Sequence, residues 1–215
     1  IGFSGSPWTV ATYMVEGGSS KEFLKIKALK DEDPHALKAL LNKVAILTID
    51  YLNAQIEAGA QALMIFDTWG GILEAHDYRQ FSLSFMQQII DGLHLKQIES
   101  EIPVILFTKG AGSKISDMAN TGCSALGIDW TMSLSKARDL TQNKTALQGN
   151  LNPKILTKSE VEIQQAVADV LADYGSSPGH VFNLGHGITP DIDPDRVKFL
   201  VDTVHDLSKQ YHKSY

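Results

Sequence analysis

Short runs of four or five apolar residues recur along the chain, and each run ends in glycine or in polar residues. A run of this length between helical segments predicts a parallel strand that is buried on both faces. In parallel architectures ligands collect beyond the carboxyl ends of the strands, so we expect the polar tips to form one functional rim. The runs cover residues 1–5, 63–68, 104–109, 126–130, 146–150 and 181–186.

Segments with helical spacing fill the intervals between these runs. Three of them open with a capping residue followed directly by proline, at Ser6, Asp33 and Asp193. A fourth opens with Thr157 and Glu160, the spacing of a capping box, and continues to residue 174. The predicted helices cover residues 8–16, 34–58, 78–98, 113–121, 133–140, 157–174 and the segment from 194 onward.

Strands and helices in alternation predict a parallel sheet with right-handed crossovers, either an open doubly wound sheet or a (β/α)8 TIM barrel. Neither glycine-rich nucleotide-binding fingerprint is present in the sequence, and polar residues at several strand ends favour the barrel. We expect one domain over residues 1–215. A complete barrel has eight strands. The barrel is therefore expected to be truncated to about six β/α units, as the carboxyl-terminal part of a longer protein.

Composition narrows the class of protein. The formal charge of -6 argues against non-specific nucleic-acid binding, which depends on clustered lysine and arginine. Cys123 is the single cysteine, which excludes an internal disulfide and fits a reducing cytoplasm. No apolar stretch approaches the ~20 residues that cross a bilayer. We therefore predict a cytoplasmic protein without nucleic-acid or membrane partners.

Six motifs in the chain resemble those of the uroporphyrinogen decarboxylase family, in the same order and at similar spacing. The resemblance implies a (β/α)8 barrel enzyme of porphyrin biosynthesis that uses no cofactor and forms a homodimer. Its substrate would be uroporphyrinogen III, whose acetate side chains become methyl groups to give coproporphyrinogen III with release of CO2. The motifs are GFSGSPWT (2–9), TYMVEGG (12–18), IFDTWGG (65–71), GIDWT (127–131), LQGNL (147–151) and NLGHG (183–187).

The implied reaction assigns a task to the protein. Loss of CO2 leaves a carbanion that needs an electron sink, and protonation of the adjacent pyrrole carbon turns the substrate's own ring into that sink. The protein must then supply an acid, partners for the pyrrole N–H groups and cations for the carboxylates.

Three residues match substrate-binding positions of the family: Tyr13, Thr68 and His186. The Tyr13 phenol can orient a carboxylate, and the Thr68 hydroxyl at a strand tip can donate to one. His186 stands between two glycines that let the backbone approach a ligand. Without the resemblance, Tyr13 would be interpreted as a packing residue and Thr68 as a loop or capping residue.

Other strand-end residues leave two interpretations open. Asp67, Lys109 and Asp129 are candidates for the site or for structural ion pairs at the rim. Phe66 faces either the substrate or the core. Three tryptophans either wall a cleft or pack in the core, namely Trp8, Trp69 and Trp130.

The family's Arg-Gln-Ala-Gly-Arg loop and its catalytic Asp are absent from this sequence, and the resemblance places both upstream of Ile1. The three arginines, Arg79, Arg138 and Arg196, lie on predicted helices outside the motifs. A polycarboxylate without convergent arginines would be poorly held. No catalytic residue is therefore assigned within this chain, which we expect to be inactive alone.

Two alternatives remain. A zinc-dependent corrinoid or thiol methyltransferase of the same superfamily would need thiolate and imidazole ligands, and the chain offers one cysteine. We predict no metal site, because Asp193 before Pro194 fits a helix cap better than a ligand. The other alternative is a non-catalytic fragment.

Overall fold

A computed structural model describes residues 1–96 and 101–211, and six strands form in this part of the chain. Each lies within or overlaps one of the predicted apolar runs, so the strand prediction is confirmed. The strands are β1 (Gly2–Gly5), β2 (Leu63–Asp67), β3 (Val104–Thr108), β4 (Ala125–Gly127), β5 (Ala146–Leu151) and β6 (His180–Leu184).

The strands follow one another in the sheet in sequence order, from β1 to β6. The pairs are parallel, with Gly2 opposite Leu63, Leu63 opposite Val104, and Leu147 opposite His180. A doubly wound sheet reverses its strand order at a switch point, whereas barrel strands are added in one direction. The topology therefore favours the barrel over the open sheet.

Helices occupy the intervals between strands in the described residues. Ser6, Asp33 and Asp193 each cap a helix that begins at the following proline, as predicted. The helices are α1 (Pro7–Glu16), α2 (Leu24–Glu32), α3 (Pro34–Glu57), α4 (Ala75–Tyr78), α5 (Ser84–Gly92), α6 (Ile115–Ala119), α7 (Leu134–Thr141), α8 (Glu160–Tyr174) and α9 (Pro194–Ser208).

The helix predicted for residues 78–98 is different in the structure. It begins earlier, at Ala75, passes through a π-helical turn at Arg79–Leu83, and ends at Gly92. A Cβ on Gly92 would lie 2.8 Å from the Ile49 side chain, so the glycine permits close packing of α5 on α3. Residues 97–98 of the prediction lie outside the described residues.

The predicted capping box was wrong by two residues. Thr157 ends a 3-10 turn and donates to the Lys154 carbonyl, so it cannot cap α8. Ser159 is the cap instead, and Glu162 returns the second bond of the box. Both pairs have the same sequence spacing, and only the preceding turn distinguishes them.

Helix α2 was missed by the sequence analysis, for a clear reason. Phe23 precedes it with φ of 56° and no side-chain cap, and Ile26 is its one buried residue. A helix without a capping signal or an apolar stripe leaves no pattern to detect.

The chain divides into two compact units, Ile1–Ala125 and Leu126–Tyr215. Large buried side chains of the first unit include Trp8, Leu41 and Leu106. The second has a core of residues from β5, α8, α9 and the turn after β5, namely Leu151, Leu156, Ile163, Val167, Leu171 and Leu200. The single-domain assignment stays a prediction. Among the described helices, none combines the length and apolarity needed to cross a membrane.

Candidate functional site

In the first unit, the strand tips surround one buried carboxylate. Asp67 ends β2 and is 0% exposed. Its Oδ1 accepts hydrogen bonds from the Ser6 hydroxyl at 2.6 Å and the Thr9 hydroxyl at 3.1 Å. Its Oδ2 accepts from Ser82 at 2.7 Å and from Thr108 at 3.3 Å. We call Asp67 and these four residues the hydroxyl cluster.

The hydroxyl cluster suits an ionised carboxylate, because that form is an acceptor with about four lone-pair sites. Burial raises the pKa of Asp67, and the hydroxyl hydrogen bonds oppose that shift. A Cβ on Gly70 would fall 1.7 Å from Asp67 Oδ2, so only glycine fits there. Hydroxyls, rather than the cations of an ion pair, therefore hold the Asp67 carboxylate, and whether Asp67 serves the site stays a prediction.

Tyr13 and Thr68 lie at the same end of the first unit. Tyr13 is 42% exposed on α1, and its ring meets that of Trp69 edge-on with centroids 6.0 Å apart. Trp69 directly follows Thr68 in the chain, and Thr68 is half-buried. The Trp69 ring also packs against the Phe23 ring, with centroids 4.9 Å apart. The residue that follows Thr68 in the chain therefore packs on the Tyr13 ring.

Beside them, an aromatic row crosses the first three strands. Phe66 is half-buried and makes edge contacts at 6.1 Å with both Phe3 and Phe107. Phe107 is buried, whereas Phe3 is 61% exposed. Phe66 therefore stands between core and surface. Trp8 is fully buried and donates to the Trp69 carbonyl at 3.1 Å, which assigns it to packing.

Two lysines lie near the same strand tips. The backbone N–H of Lys109 donates to the Asp67 carbonyl at 3.2 Å. Lys114 was not singled out from the sequence; its Nζ donates to the Gly71 carbonyl at 3.2 Å and lies 5.3 Å from the Tyr78 ring centroid. Partial burial lowers the pKa of Lys114, and its acidic neighbours oppose the shift. The first unit therefore places the Lys114 ammonium at Gly71, in the turn that follows β2.

In the second unit, His186 follows the carboxyl end of β6 and is half-buried. Gly185 before it packs on the turn after β4, where a Cβ would lie 2.7 Å from the Trp130 amide nitrogen. Trp130 is 37% exposed. A side chain larger than hydrogen at 185 would displace this backbone, so the glycine sets where His186 begins.

Asn150 organises the same end of the second unit. It is 7% exposed, and its Nδ2 donates to the carbonyls of Asp129 at 3.0 Å and Met132 at 2.5 Å. The Asp129 carboxylate in turn accepts from the backbone N–H of Thr131 at 2.8 Å and from its hydroxyl. The Asp129 carboxylate therefore has Thr131 as a structural partner, and both its role in the site and its ion pair stay predictions. Asn150 was not singled out for this role by the sequence.

His180 was not singled out by the sequence and is half-buried in the structure. It begins β6, its ring stacks on Tyr174 at 4.4 Å, and its Nε2 lies 2.9 Å from the Gly149 carbonyl. A cavity of about 480 Å³ opens beside it. This cavity lies at the amino end of β6, whereas His186 follows the carboxyl end.

The three arginines lie in helical segments outside the motifs, as predicted. Arg79 pairs with Asp117 at 2.8 Å, Arg138 donates to the Tyr174 carbonyl, and Arg196 lies 3.7 Å from Glu160.

The described residues contain no group of three or more His, Cys, Asp or Glu side chains that could hold a metal ion. Asp193 caps α9 by accepting from the Asp195 N–H at 2.9 Å. Cys123 is a free, buried thiol, and burial raises its pKa.

The structure thus places Tyr13 in contact with Trp69, the residue after Thr68, in the first unit, and places His186 at a strand end of the second. Their substrate-binding roles stay predictions. Four members of the hydroxyl cluster were missed as site residues, namely Ser6, Thr9, Ser82 and Thr108. Ser6 and Thr9 follow a strand tip and were detectable in principle, whereas Ser82 lies inside a helical segment and carried no signal.

Comparison with known proteins shows the family. The model of the uroporphyrinogen decarboxylase (URO-D) family matches residues 1–207. A uroporphyrinogen decarboxylase of Pseudoalteromonas translucida (strain TAC 125) is 54% identical over 213 residues, 99% of this chain and 60% of that protein. One of Escherichia coli O1:K1 / APEC is 56% identical over the same shares. The chain therefore spans about 60% of the length of these relatives.

Among solved structures, a methyltransferase from Methanosarcina mazei matches with a TM-score of 0.79 at 23% identity, over 95% of this chain and 58% of that one. At this identity the likeness concerns the fold alone. The fold class is that of the (β/α)8 barrel, of which the described residues form six strands. From the family match and the identity to these relatives, the chain belongs to the uroporphyrinogen decarboxylase family.

Proposed function

We propose that the protein to which this chain belongs is a carboxy-lyase that converts uroporphyrinogen III to coproporphyrinogen III. The observation that carries the proposal is identity of 54% and 56% to two uroporphyrinogen decarboxylases over nearly the whole chain. Four acetate side chains would each lose CO2 and become methyl groups.

The chemistry fits a protein without an electron-accepting cofactor. A proton first adds to the pyrrole carbon next to the one that bears the acetate arm. The C–C bond to the carboxylate then breaks, CO2 leaves, and the electron pair flows into the protonated ring. A second proton goes to the methylene carbon to make the methyl group, and loss of the first proton restores the pyrrole.

Within this chain, Tyr13, Thr68 and His186 would bind the substrate. The partly exposed Tyr13 phenol and the Thr68 hydroxyl would hydrogen-bond to carboxylate or pyrrole N–H groups, and His186 would do so from its own strand end. The exposed Phe3 ring and the half-buried Phe66 ring, which are in edge contact, offer an apolar surface suited to a ring face. The catalytic Asp and the arginine loop would come from residues outside this sequence.

The decisive experiment is an assay of the complete gene product with uroporphyrinogen III, with products separated by chromatography. We expect coproporphyrinogen III from the complete protein and none from these 215 residues alone. Unchanged substrate with the complete, folded protein would contradict the proposal. Turnover by the 215-residue chain would contradict the assignment of the catalytic groups outside it.

Matched variants test the three binding residues in the same assay. Tyr13→Phe, Thr68→Val and His186→Asn should each reduce kcat/KM by about ten-fold or more, since each loses a hydrogen bond to a charged group. Tyr51→Phe is the control, because Tyr51 is 57% exposed on α3 and outside the motifs. Equal effects of Tyr13→Phe and Tyr51→Phe would remove Tyr13 from the site.

The family and the lone buried thiol support two further parts of the proposal. Homodimerisation is what the resemblance implies, and analytical ultracentrifugation of the complete protein tests it. A free cysteine suits a reducing compartment, and we place the protein in the cytoplasm.

A further inference from the structure

Asp67 has no role in the proposed binding of substrate, although it is the most enclosed carboxylate near the strand tips. Its side chain is 0% exposed, so it cannot touch a ligand. Burying a carboxylate without a cation is unfavourable, and four hydroxyl donors are needed to offset it. Any contribution of Asp67 to the reaction must therefore pass through the residues that it holds.

One line of hydrogen bonds runs from Asp67 to the residue after Thr68. The backbone N–H of Trp69 donates to Thr9 Oγ1 at 3.2 Å, and the Thr9 hydroxyl donates to Asp67 Oδ1 at 3.1 Å. A hydroxyl has one hydrogen, so its bond to Asp67 leaves its lone pairs for the Trp69 N–H. Asp67 thus orients the acceptor that fixes the backbone next to Thr68.

A second line runs from Asp67 to the start of α1. The Ser6 hydroxyl donates to Asp67 Oδ1 and accepts from the Thr9 N–H at 3.0 Å, as the helix cap. Tyr13 is four residues after Thr9 and therefore on the same helix face. Both lines end at the aromatic contact between Tyr13 and Trp69.

The other carboxylate oxygen of Asp67, Oδ2, is hydrogen-bonded to a different set of residues. Ser82 and Thr108 donate to Oδ2, and because the Thr108 hydrogen is used in that bond, the Tyr78 hydroxyl donates to Thr108 at 2.9 Å. None of these three is bonded to the segment of Thr68 or Tyr13 in the described structure. The two oxygens thus separate a path to the candidate site from a path into the core.

We infer that Asp67 is a positioning residue: as a buried acceptor it sets the backbone at Trp69 and the start of α1, and thereby orients Thr68 and Tyr13 together. The inference rests on the proposed function for those two residues. It assigns the Oδ1 side of the hydroxyl cluster, through Thr9, to the site and the Oδ2 side, through Ser82, to packing.

A matched pair of variants in the complete gene product tests this. Thr9→Val and Ser82→Ala each remove one hydroxyl donor from Asp67, but only Thr9→Val also removes the acceptor of the Trp69 N–H. We expect similar losses of Tm in the two. The kcat/KM for uroporphyrinogen should fall about ten-fold or more in Thr9→Val and by less than about three-fold in Ser82→Ala. Thr9→Ser keeps the hydroxyl and should restore activity.

Amide hydrogen exchange gives a readout that does not depend on activity. Exchange at the Trp69 amide should accelerate in Thr9→Val and stay unchanged in Ser82→Ala and Thr9→Ser. Equal exchange in the matched pair, or equal loss of kcat/KM at equal Tm, would overturn the inference. If the wild-type protein converts no uroporphyrinogen, the proposed function fails while exchange still tests the hydrogen-bond path. Should Thr9→Val not fold, Thr9→Ala replaces it.

Discussion

At the scale of single residues, two glycines provide space that the candidate site needs. Gly70 leaves room for the Asp67 carboxylate, and Gly185 lets the start of the His186 segment lie against the turn after β4. In both places the obstacle to a methyl group is close, at 1.7 Å and 2.7 Å from the Cβ position. A polar site built on strand tips needs such close backbone approach.

The residue-scale prediction concerns the glycines that flank His186. Gly185→Ala should destabilise the protein by about 1–3 kcal/mol, because the new methyl meets backbone atoms that cannot rotate away. It should also reduce decarboxylation, since His186 shifts with its backbone. Thermal melts and the uroporphyrinogen assay on the complete protein measure both effects.

Gly187→Ala is the control for this change. A Cβ at Gly187 meets nothing within 4 Å, so stability should change by less than about 0.5 kcal/mol. Should the two alanine variants behave alike, the packing of Gly185 on Trp130 would not be what sets His186.

At the scale of secondary-structure elements, the capping of α8 shows how a pH dependence arises from geometry. The Ser159 hydroxyl and backbone N–H both donate to Glu162, at 2.6 Å and 3.0 Å, and these bonds lower the pKa of the Glu162 carboxyl. A carboxyl whose folded-state pKa is lowered stabilises the fold above its unfolded-state pKa. That stabilisation disappears as the pH falls through the folded-state value.

We therefore predict that Glu162→Ala lowers Tm at pH 7 and that the difference from wild type shrinks in acid. The difference in Tm should begin to shrink as the pH falls near 4.5, the ordinary pKa of a glutamate. It should vanish below the folded-state pKa of Glu162. Differential scanning calorimetry from pH 7 to pH 3 follows it. Glu160→Ala is the control, because Glu160 is in the same helical turn without a capping bond; a parallel response of both variants would argue against the capping box.

At the scale of the whole molecule, the available metal-binding side chains distinguish the proposed decarboxylase from a zinc-dependent methyltransferase. The chain has one cysteine, which is buried, and the described residues hold no cluster of three metal-binding side chains. A zinc methyltransferase needs thiolate and imidazole ligands around its metal. The described part of the chain therefore contains no group of side chains that matches such a zinc centre.

The corresponding prediction is that the complete gene product contains zinc far below one equivalent and keeps its decarboxylase activity after treatment with EDTA. Elemental analysis of the purified protein and an assay before and after chelation measure this. One equivalent of zinc per chain, with activity lost on chelation and restored by zinc, would contradict it.

The sequence alone determined the strands, most helices and the family, because buried parallel strands and proline-marked caps leave local patterns. It also predicted Tyr13, Thr68 and His186, although only through motifs of the family. Tertiary structure alone decided which of two equal capping patterns starts α8, since the preceding turn removes Thr157 from competition. It alone assembled the hydroxyl cluster, because Ser6, Ser82 and Thr108 meet Asp67 only after three strands and a distant helical segment pack. Hydrogen bonds across such sequence distances leave no local pattern.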